Sequence, residues 1–110
     1  MIHYLNAGMR ESSEKRSEEA RFMADFDHNF RRRHEIAFRT LAERVGLDYF
    51  AIDCGETRDG KLLVFEVDVA MIVHAMDPPE LFLYKPPQMR KVRDAFCQML
   101  RRRCPRASRG

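Results

Sequence analysis

The sequence predicts an α+β fold in which amphipathic helices pack against one face of a small antiparallel β-sheet. Apolar residues recur at three- and four-residue steps over residues 22–45 and again over 89–100, which is the helical period. Between these regions, residues 48–69 are rich in β-branched and aromatic side chains and alternate with the period of a strand. The 110 residues have room for one small domain, predicted over 1–103 and followed by a basic tail at 104–110.

The first helical region follows a short extended piece, Met1 to Met9. Ser12 and Ser13 are candidate N-caps, because a serine hydroxyl accepts a hydrogen bond from the free N–H groups of a first helical turn. The stripe that follows is expected to face the core; its members are Phe22, Met23, Phe26, Phe30, His34, Phe38, Leu41 and Val45. It fits one bent helix or two helices with Asp27 capping the second, and Gly46 is placed to end it.

The strand region folds back on itself at Asp59-Gly60, a dipeptide that strongly indicates a β-hairpin. A two-residue type I′ loop there fixes the register of the hairpin at 48–69, and counting back along both strands places Asp53 opposite Glu66. The same register gives the hairpin an apolar face, which we expect the helices to cover; it consists of Phe50, Ile52, Leu63, Phe65, Val67 and Val69.

Three carboxylates are expected to converge on the other face of the hairpin. The Cβ atoms of Asp53 and Glu66 would lie about 4.5–5.5 Å apart, and Asp68, two residues beyond Glu66, projects from the same face. Because like charges directly opposite each other are destabilising, such a cluster normally holds a cation or shares a proton. An all-oxygen donor set suits Mg²⁺ or Mn²⁺ rather than zinc. The alternative is that these carboxylates form the solvated side of a half-exposed sheet.

The chain after the hairpin is expected to be irregular as far as Pro87, because the pairs Pro78-Pro79 and Pro86-Pro87 oppose regular structure. Pro87 suits the first position of a last helix. The apolar face of that helix consists of Met89, Val92, Phe96, Met99 and Leu100.

Charge is distributed unevenly along the chain. Residues 1–84 carry 11 basic and 16 acidic side chains, a net −5, whereas residues 85–110 carry nine basic and one acidic, a net +8. A basic end of this kind binds nucleic acid, an acidic membrane surface or the acidic body of its own fold. The arginine runs at 31–33 and 101–103 lack the interleaved aromatic residues of a single-strand-binding groove, so nucleic acid is not favoured as a partner.

The sequence also predicts where the protein works. No apolar run approaches the roughly 18 residues that a membrane span needs, and no signal peptide is expected at the N-terminus. The three cysteines, Cys54, Cys97 and Cys104, are an odd number without metal-like spacing. They favour reduced thiols in a cytoplasmic protein. The lack of a long apolar run predicts that the protein has no membrane partner.

Two segments of the hairpin region form a recognisable motif. They read Gly46-Leu-Asp-Tyr-Phe-Ala-Ile-Asp-Cys54, then Asp59-Gly-Lys-Leu-Leu-Val-Phe-Glu-Val-Asp-Val-Ala-Met71. This stretch resembles the end of the ATP-grasp fold, particularly the ATP-grasp domains fused to tetratricopeptide repeats in bacteria. The pattern there reads Gly-Leu-Asp-Tyr-Phe-Gly-Ile-Asp, a turn, then Phe-Glu-x-Asn-x-x-Met. The likeness extends from about His3 to Leu100, and its specific part is the hairpin.

The resemblance implies a nucleotide site. By resemblance, Asp53, Glu66 and Asp68 hold the Mg²⁺ (or Mn²⁺) ions that bridge the phosphates of ATP, although the family usually has asparagine where this chain has Asp68. Apolar residues near the glutamate commonly flank the adenine in such folds, which makes Phe65 and Val64 the candidates for cofactor binding. The implied parent activity is ATP-dependent ligation of a carboxylate to an amine or thiol through an acylphosphate.

The chain is too short for the other ATP-grasp subdomain, which supplies the phosphate-binding lysine and a glycine-containing loop. We therefore expect a truncated C-terminal subdomain that keeps the carboxylate site but does not catalyse ligation alone, so no catalytic residue is assigned. Its expected partner is a second copy or a chain that supplies the missing half. The alternatives are a non-catalytic interaction or oligomerisation module and a small basic protein associated with nucleic acid.

Overall fold

The computed structural model describes residues 8–71, 73 and 76–104. These residues form four helices and a two-stranded antiparallel sheet, which confirms the predicted α+β class. In chain order the elements are α1 (Ser13–Asp25), α2 (Phe30–Arg33), α3 (Glu35–Val45), β1 (Ala51–Glu56), β2 (Leu62–Asp68) and α4 (Lys85–Arg103).

The chain divides into two compact units, Met1–Ile72 and Val73–Gly110, and each is described by itself. The prediction of one domain over 1–103 stays a prediction. Most of the predicted extended piece at 1–9 and most of the basic tail at 104–110 lie outside the described residues.

Helix α1 begins where the sequence predicts. The Ser12 hydroxyl oxygen accepts a hydrogen bond from the backbone N–H of Lys15 at 3.2 Å, so Ser12 is the N-cap. The turn before the helix is held by Arg16, whose Nη1 donates to the carbonyl oxygens of Met9 and Arg10 at 2.8 and 2.7 Å. Met9 is buried, so this turn contributes to the core of the first unit.

The first helical region is divided into three helices rather than one or two. Asp27 does not cap the second helix, because α1 ends at Asp25 and the N-cap position of α2 is Asn29. The side-chain amide of Asn29 donates to Asp25 Oδ2 and its oxygen accepts from Arg33 Nε, both at 2.8 Å. At the break the backbone N–H groups of His28 and Arg31 donate three and five residues back, to Asp25 and Phe26, rather than four residues back as in an α-helix.

Helix α3 ends at Gly46, as predicted. Gly46 has a φ of 67°, and its N–H donates to the carbonyl oxygen of Ala42 at 2.9 Å. A side chain would be strained in this left-handed conformation, which is why glycine ends the helix here.

An aromatic cluster joins the three helices of the first unit. Its members are Phe22, Phe26, Phe30, His34 and Phe38. The ring of Phe30 is central, because its centroid lies 4.6 Å from that of His34 and 5.5–6.3 Å from those of the three other phenylalanines. These separations fall in the range that aromatic pairs prefer. Five positions of the predicted stripe therefore do pack together.

The hairpin turns through a three-residue loop, so the predicted two-residue loop was wrong. The N–H of Thr57 donates to the Lys61 carbonyl, and the N–H of Gly60 donates to the Thr57 carbonyl, both at 2.9 Å. Gly60 has a φ of 79°, the left-handed position that closes loops of this length.

A β-bulge at Phe65 restores the predicted register farther from the loop. Cys54 pairs with Val64, whereas its neighbour Asp53 pairs with Glu66, so Phe65 is the extra residue of β2. The longer loop and the bulge shift the pairing by one residue in opposite senses. The predicted pairing of Asp53 with Glu66 is therefore confirmed, even though the loop that predicted it is different.

The bulge also exchanges side chains between the two faces of the hairpin. Gly55 pairs with Leu63, which places Leu63 on the same face as Asp53. The Phe65 ring lies on that face as well, because one of its atoms is 3.3 Å from where a Cβ on Gly55 would be. The prediction that helices cover Leu63 and Phe65 was wrong: their exposed fractions are 46% and 69%.

The opposite face of the hairpin is only partly covered. Its half-buried residues are Ile52, Cys54, Leu62 and Val64. Val67 on this face and Val69 beyond the strand are exposed, contrary to prediction, whereas Phe50 is half-buried. Leu62 and Val64 replace Leu63 and Phe65 on this face, because the loop and the bulge shift the pairing of β2 by one residue between them.

In the second unit, α4 begins at Lys85, two residues before the predicted start at Pro87. The pair Pro86-Pro87 is part of the helix. Proline has no backbone N–H, and in the first turn this costs no hydrogen bond because N–H groups there have no intrahelical acceptor. The Lys85 ammonium is buried 2.7 Å from Asp77 Oδ2 and 4.4 Å from the centre of the buried Phe82 ring. Within the described ranges, no helix has both the length and the apolar character needed to cross a membrane.

Candidate functional site

Two acidic side chains face each other on the hairpin. Asp53 and Glu66 are antiparallel partners, so both side chains leave the same face of the sheet. Asp68 pairs with Ala51 and lies on this face two residues beyond Glu66. We call the surface formed by Asp53, Leu63, Phe65, Glu66 and Asp68 the acidic face. Its three carboxylates share one side of the hairpin, as the sequence predicts.

The third carboxylate, that of Asp68, bonds to the backbone two residues farther along the chain. Asp68 Oδ1 accepts a hydrogen bond from the N–H of Ala70 at 2.7 Å, which closes the turn after β2. In the part of the chain that the structure describes, no three His, Cys, Asp or Glu side chains are grouped closely enough to hold a metal ion. The structure therefore brings Asp53 and Glu66 together as neighbours and ties Asp68 to Ala70.

The chemistry of this donor set suits a hard divalent cation. Carboxylate oxygens are the ligands that Mg²⁺ and Mn²⁺ prefer. Mg²⁺ typically keeps several waters and takes one or two protein carboxylates together with substrate phosphates. The facing pair of Asp53 and Glu66 meets that requirement without a third protein ligand.

The two residues expected near an adenine lie on opposite faces. Phe65 is on the acidic face, with its ring across Gly55 and largely exposed. Val64 pairs with Cys54 and is half-buried on the other face. Of the two, only Phe65 shares a surface with the carboxylates.

A second polar cluster, which the sequence did not predict, links the helices to β1. Nε2 of His34 lies 2.6 Å from Glu56 Oε2, and Arg33 Nη1 donates to the same oxygen. An ionised carboxylate only accepts hydrogen bonds, so Nε2 of His34 carries the hydrogen. His34 is only 3% exposed, and the Arg33 guanidinium lies 5.7 Å from the centre of the Phe30 ring.

The sequence signal for this cluster was a histidine within an apolar stripe. A buried polar atom needs a partner, and His34 finds it 22 residues along the chain, in Glu56. No local pattern identifies a partner at that separation. The cluster joins the break between α2 and α3 to the end of β1, which is a structural role.

The cluster makes stability depend on pH. The hydrogen bond from His34, supported by Arg33, holds the pKa of Glu56 below its ordinary value of 4.5. Because the unfolded chain then binds this proton more readily, the stabilisation is complete above pH 4.5 and is lost as pH falls through the lower folded pKa.

We therefore expect the urea midpoint of the wild type to fall more steeply below pH 4.5 than that of Glu56→Gln. The control Glu43→Gln, on an exposed position of α3, should keep the wild-type pH dependence. Parallel curves for the wild type and Glu56→Gln would contradict the assignment.

The thiol near the acidic face is not an activated nucleophile. Burial, and then the charge of Asp53, raise the pKa of Cys54 above its ordinary value. A raised pKa favours the neutral thiol, whereas a reactive cysteine needs a lowered one. Cys54 therefore acts as a small half-buried side chain of the hairpin.

The fold and its surface define the class as a small α+β protein with an exposed hairpin that carries paired carboxylates. Comparison with protein families, with curated proteins and with solved structures gives no match. The similarity to ATP-grasp domains stays a prediction from the sequence motif.

Proposed function

We propose that the protein binds Mg²⁺ or Mn²⁺ together with the phosphates of ATP on its acidic face, in the manner of the C-terminal subdomain of the ATP-grasp fold. The observation that carries this proposal is the cross-strand pair of Asp53 and Glu66. The same two positions are those that the resemblance assigns to metal binding, so the hairpin register and the sequence motif support the proposal separately.

The electrostatics of the pair provide the physical reason. Two carboxylates directly opposite each other on a strand pair are destabilising, and cross-strand pairs contribute roughly 0.2–1 kcal/mol. A divalent cation between Asp53 and Glu66 removes that repulsion. It also leaves coordination positions for phosphate oxygens and water.

The residues of the acidic face have distinct roles in this proposal. Asp53 and Glu66 are the ligands, whereas Asp68, whose Oδ1 bonds to Ala70, adds negative charge to the same face without joining them closely enough to share the ion. The exposed Phe65 ring offers a flat apolar surface on the same face for the adenine. A bound metal would neutralise phosphate charge, whereas ligation would also need the groups that ATP-grasp proteins take from their other subdomain.

Calorimetric titration tests the proposal. We expect saturable binding of Mg²⁺ and ATP by the wild type, and affinity reduced by more than about tenfold in Asp53→Asn/Glu66→Gln. Glu43→Gln removes one exposed negative charge from α3 and should bind like the wild type. In the absence of metal, the double variant should also be more stable than the wild type, because the repulsion is gone. Absence of binding heat in the wild type, or equal affinity in the double variant, would contradict the proposal.

A second candidate function is that of a non-catalytic, self-associating module. The exposed Leu63 and Phe65 side chains favour it, because contiguous exposed apolar surface commonly marks an interaction site.

We place the protein in the cytoplasm, since its three free cysteines suit a reducing compartment.

A further inference from the structure

Helix α4 combines exposed apolar side chains with strong positive charge. Seven of its 19 residues are basic and one, Asp94, is acidic; with Lys85 buried against Asp77, the exposed side chains of the helix carry a net +5. Val92, Phe96 and Leu100 recur every four residues along one side of the helix, and their exposed fractions are 38, 38 and 43%. Arg93 lies one residue from Val92 and three from Phe96, so a positive charge borders this apolar row.

The acidic face has the complementary composition. Its exposed apolar side chains are Leu63 and Phe65, and its charged groups are the carboxylates of Asp53, Glu66 and Asp68. The complementarity extends to the whole chain, since residues 1–84 carry a net −5 and residues 85–110 a net +8. Opposite charges around matching apolar surfaces are typical of specific interfaces.

The two surfaces are also compatible in length. The apolar row of α4, from Val92 to Leu100, extends for about 12 Å at the rise of an α-helix. The acidic face extends from Leu63 to Asp68, about 17 Å at the rise of a strand. The apolar row can therefore lie along the hairpin with exposed basic residues of α4 near the carboxylates.

We propose that α4 of one copy docks on the acidic face of a second copy, and that the second copy returns the same contact. The result is a two-fold dimer in which each copy contributes one helix and one hairpin face. This inference rests on the second candidate function, self-association, and identifies the surfaces that carry it. Because Glu66 and Asp53 lie in both sites, Mg²⁺ with ATP should compete with the dimer contact.

Charge reversal with mixing tests this arrangement in the full chain. Light scattering during size-exclusion chromatography should give the mass of two chains for the wild type. Glu66→Lys and Arg93→Glu should each weaken the dimer by more than about tenfold, because each places like charges across both contacts. An equimolar mixture of the two variants should restore the dimer, since one contact then joins the two wild-type charges and the other joins the two reversed charges.

The controls separate this arrangement from other outcomes. Glu43→Lys reverses an exposed charge on α3 and should remain dimeric, and circular dichroism should show that every variant keeps its helices. A wild type with the mass of one chain at every concentration would overturn self-association itself. A wild-type dimer that resists both reversals, or variants that stay monomeric when mixed, would overturn the assigned surfaces and leave self-association standing.

Discussion

Replacing Phe30, whose ring is half-buried, with alanine is expected to lower the free energy of unfolding by about 2 kcal/mol. The ring is central in the aromatic cluster, with His34 at 4.6 Å and Phe22 at 5.5 Å between centroids. Truncation removes buried apolar area, several ring contacts and the attraction of the Arg33 guanidinium to the ring. Urea denaturation followed by circular dichroism measures the change, since the cluster joins three helices.

Ile36→Ala is the matched control for this prediction. Ile36 is also an apolar residue of the helical region, but it is 83% exposed. Its truncation should change the free energy of unfolding by less than about 0.5 kcal/mol. Similar losses for Phe30→Ala and Ile36→Ala would show that the aromatic cluster does not stabilise the first unit.

Replacing His34 with alanine is expected to lower the free energy of unfolding by about 2 kcal/mol. The imidazole is buried, contacts the Phe30 ring and donates to Glu56. The variant should also reduce the pH dependence described for Glu56, because the main cause of its lowered pKa is removed. Chemical denaturation above and below pH 4.5 measures both effects.

Two further histidine variants define the contribution of the hydrogen bond. His28 is exposed, so His28→Ala should have little effect on stability. His34→Gln keeps an N–H donor near the position of Nε2 and should recover part of the loss. The assignment of His34 fails if His34→Ala costs no more stability than His28→Ala.

The hairpin shows how far the sequence predicts this fold. Alternation and the Asp59-Gly60 dipeptide predict two strands and the pairing of Asp53 with Glu66, and both are observed. The three-residue loop and the bulge at Phe65 were not predicted. A bulge depends on contacts across the strands, here the space that Gly55 leaves for the aromatic ring. Alternation along one strand carries no such information, so Leu63 and Phe65 were both assigned to the wrong face of the hairpin.

In the helices and the carboxylates, too, some features were predicted from the sequence and others were not. Ser12 and Gly46 mark helix ends through local backbone geometry, and both were predicted from residue type. The break before Phe30 is a change in backbone hydrogen bonding, with His28 and Arg31 donating three and five residues back, which a stripe of apolar residues does not reveal. The bond between Asp68 and Ala70 was missed for the same reason, because it depends on the path of the chain after β2.

The bulge has a consequence for how this hairpin tolerates changes in length. Phe65 is the one residue by which β2 exceeds its partner strand between the loop and the pair of Asp53 with Glu66. A chain without Phe65 would join the same loop to the same carboxylate pair through an uninterrupted ladder. Loss of Phe65 would therefore change the apolar surface of the hairpin while the opposed charges stay in place.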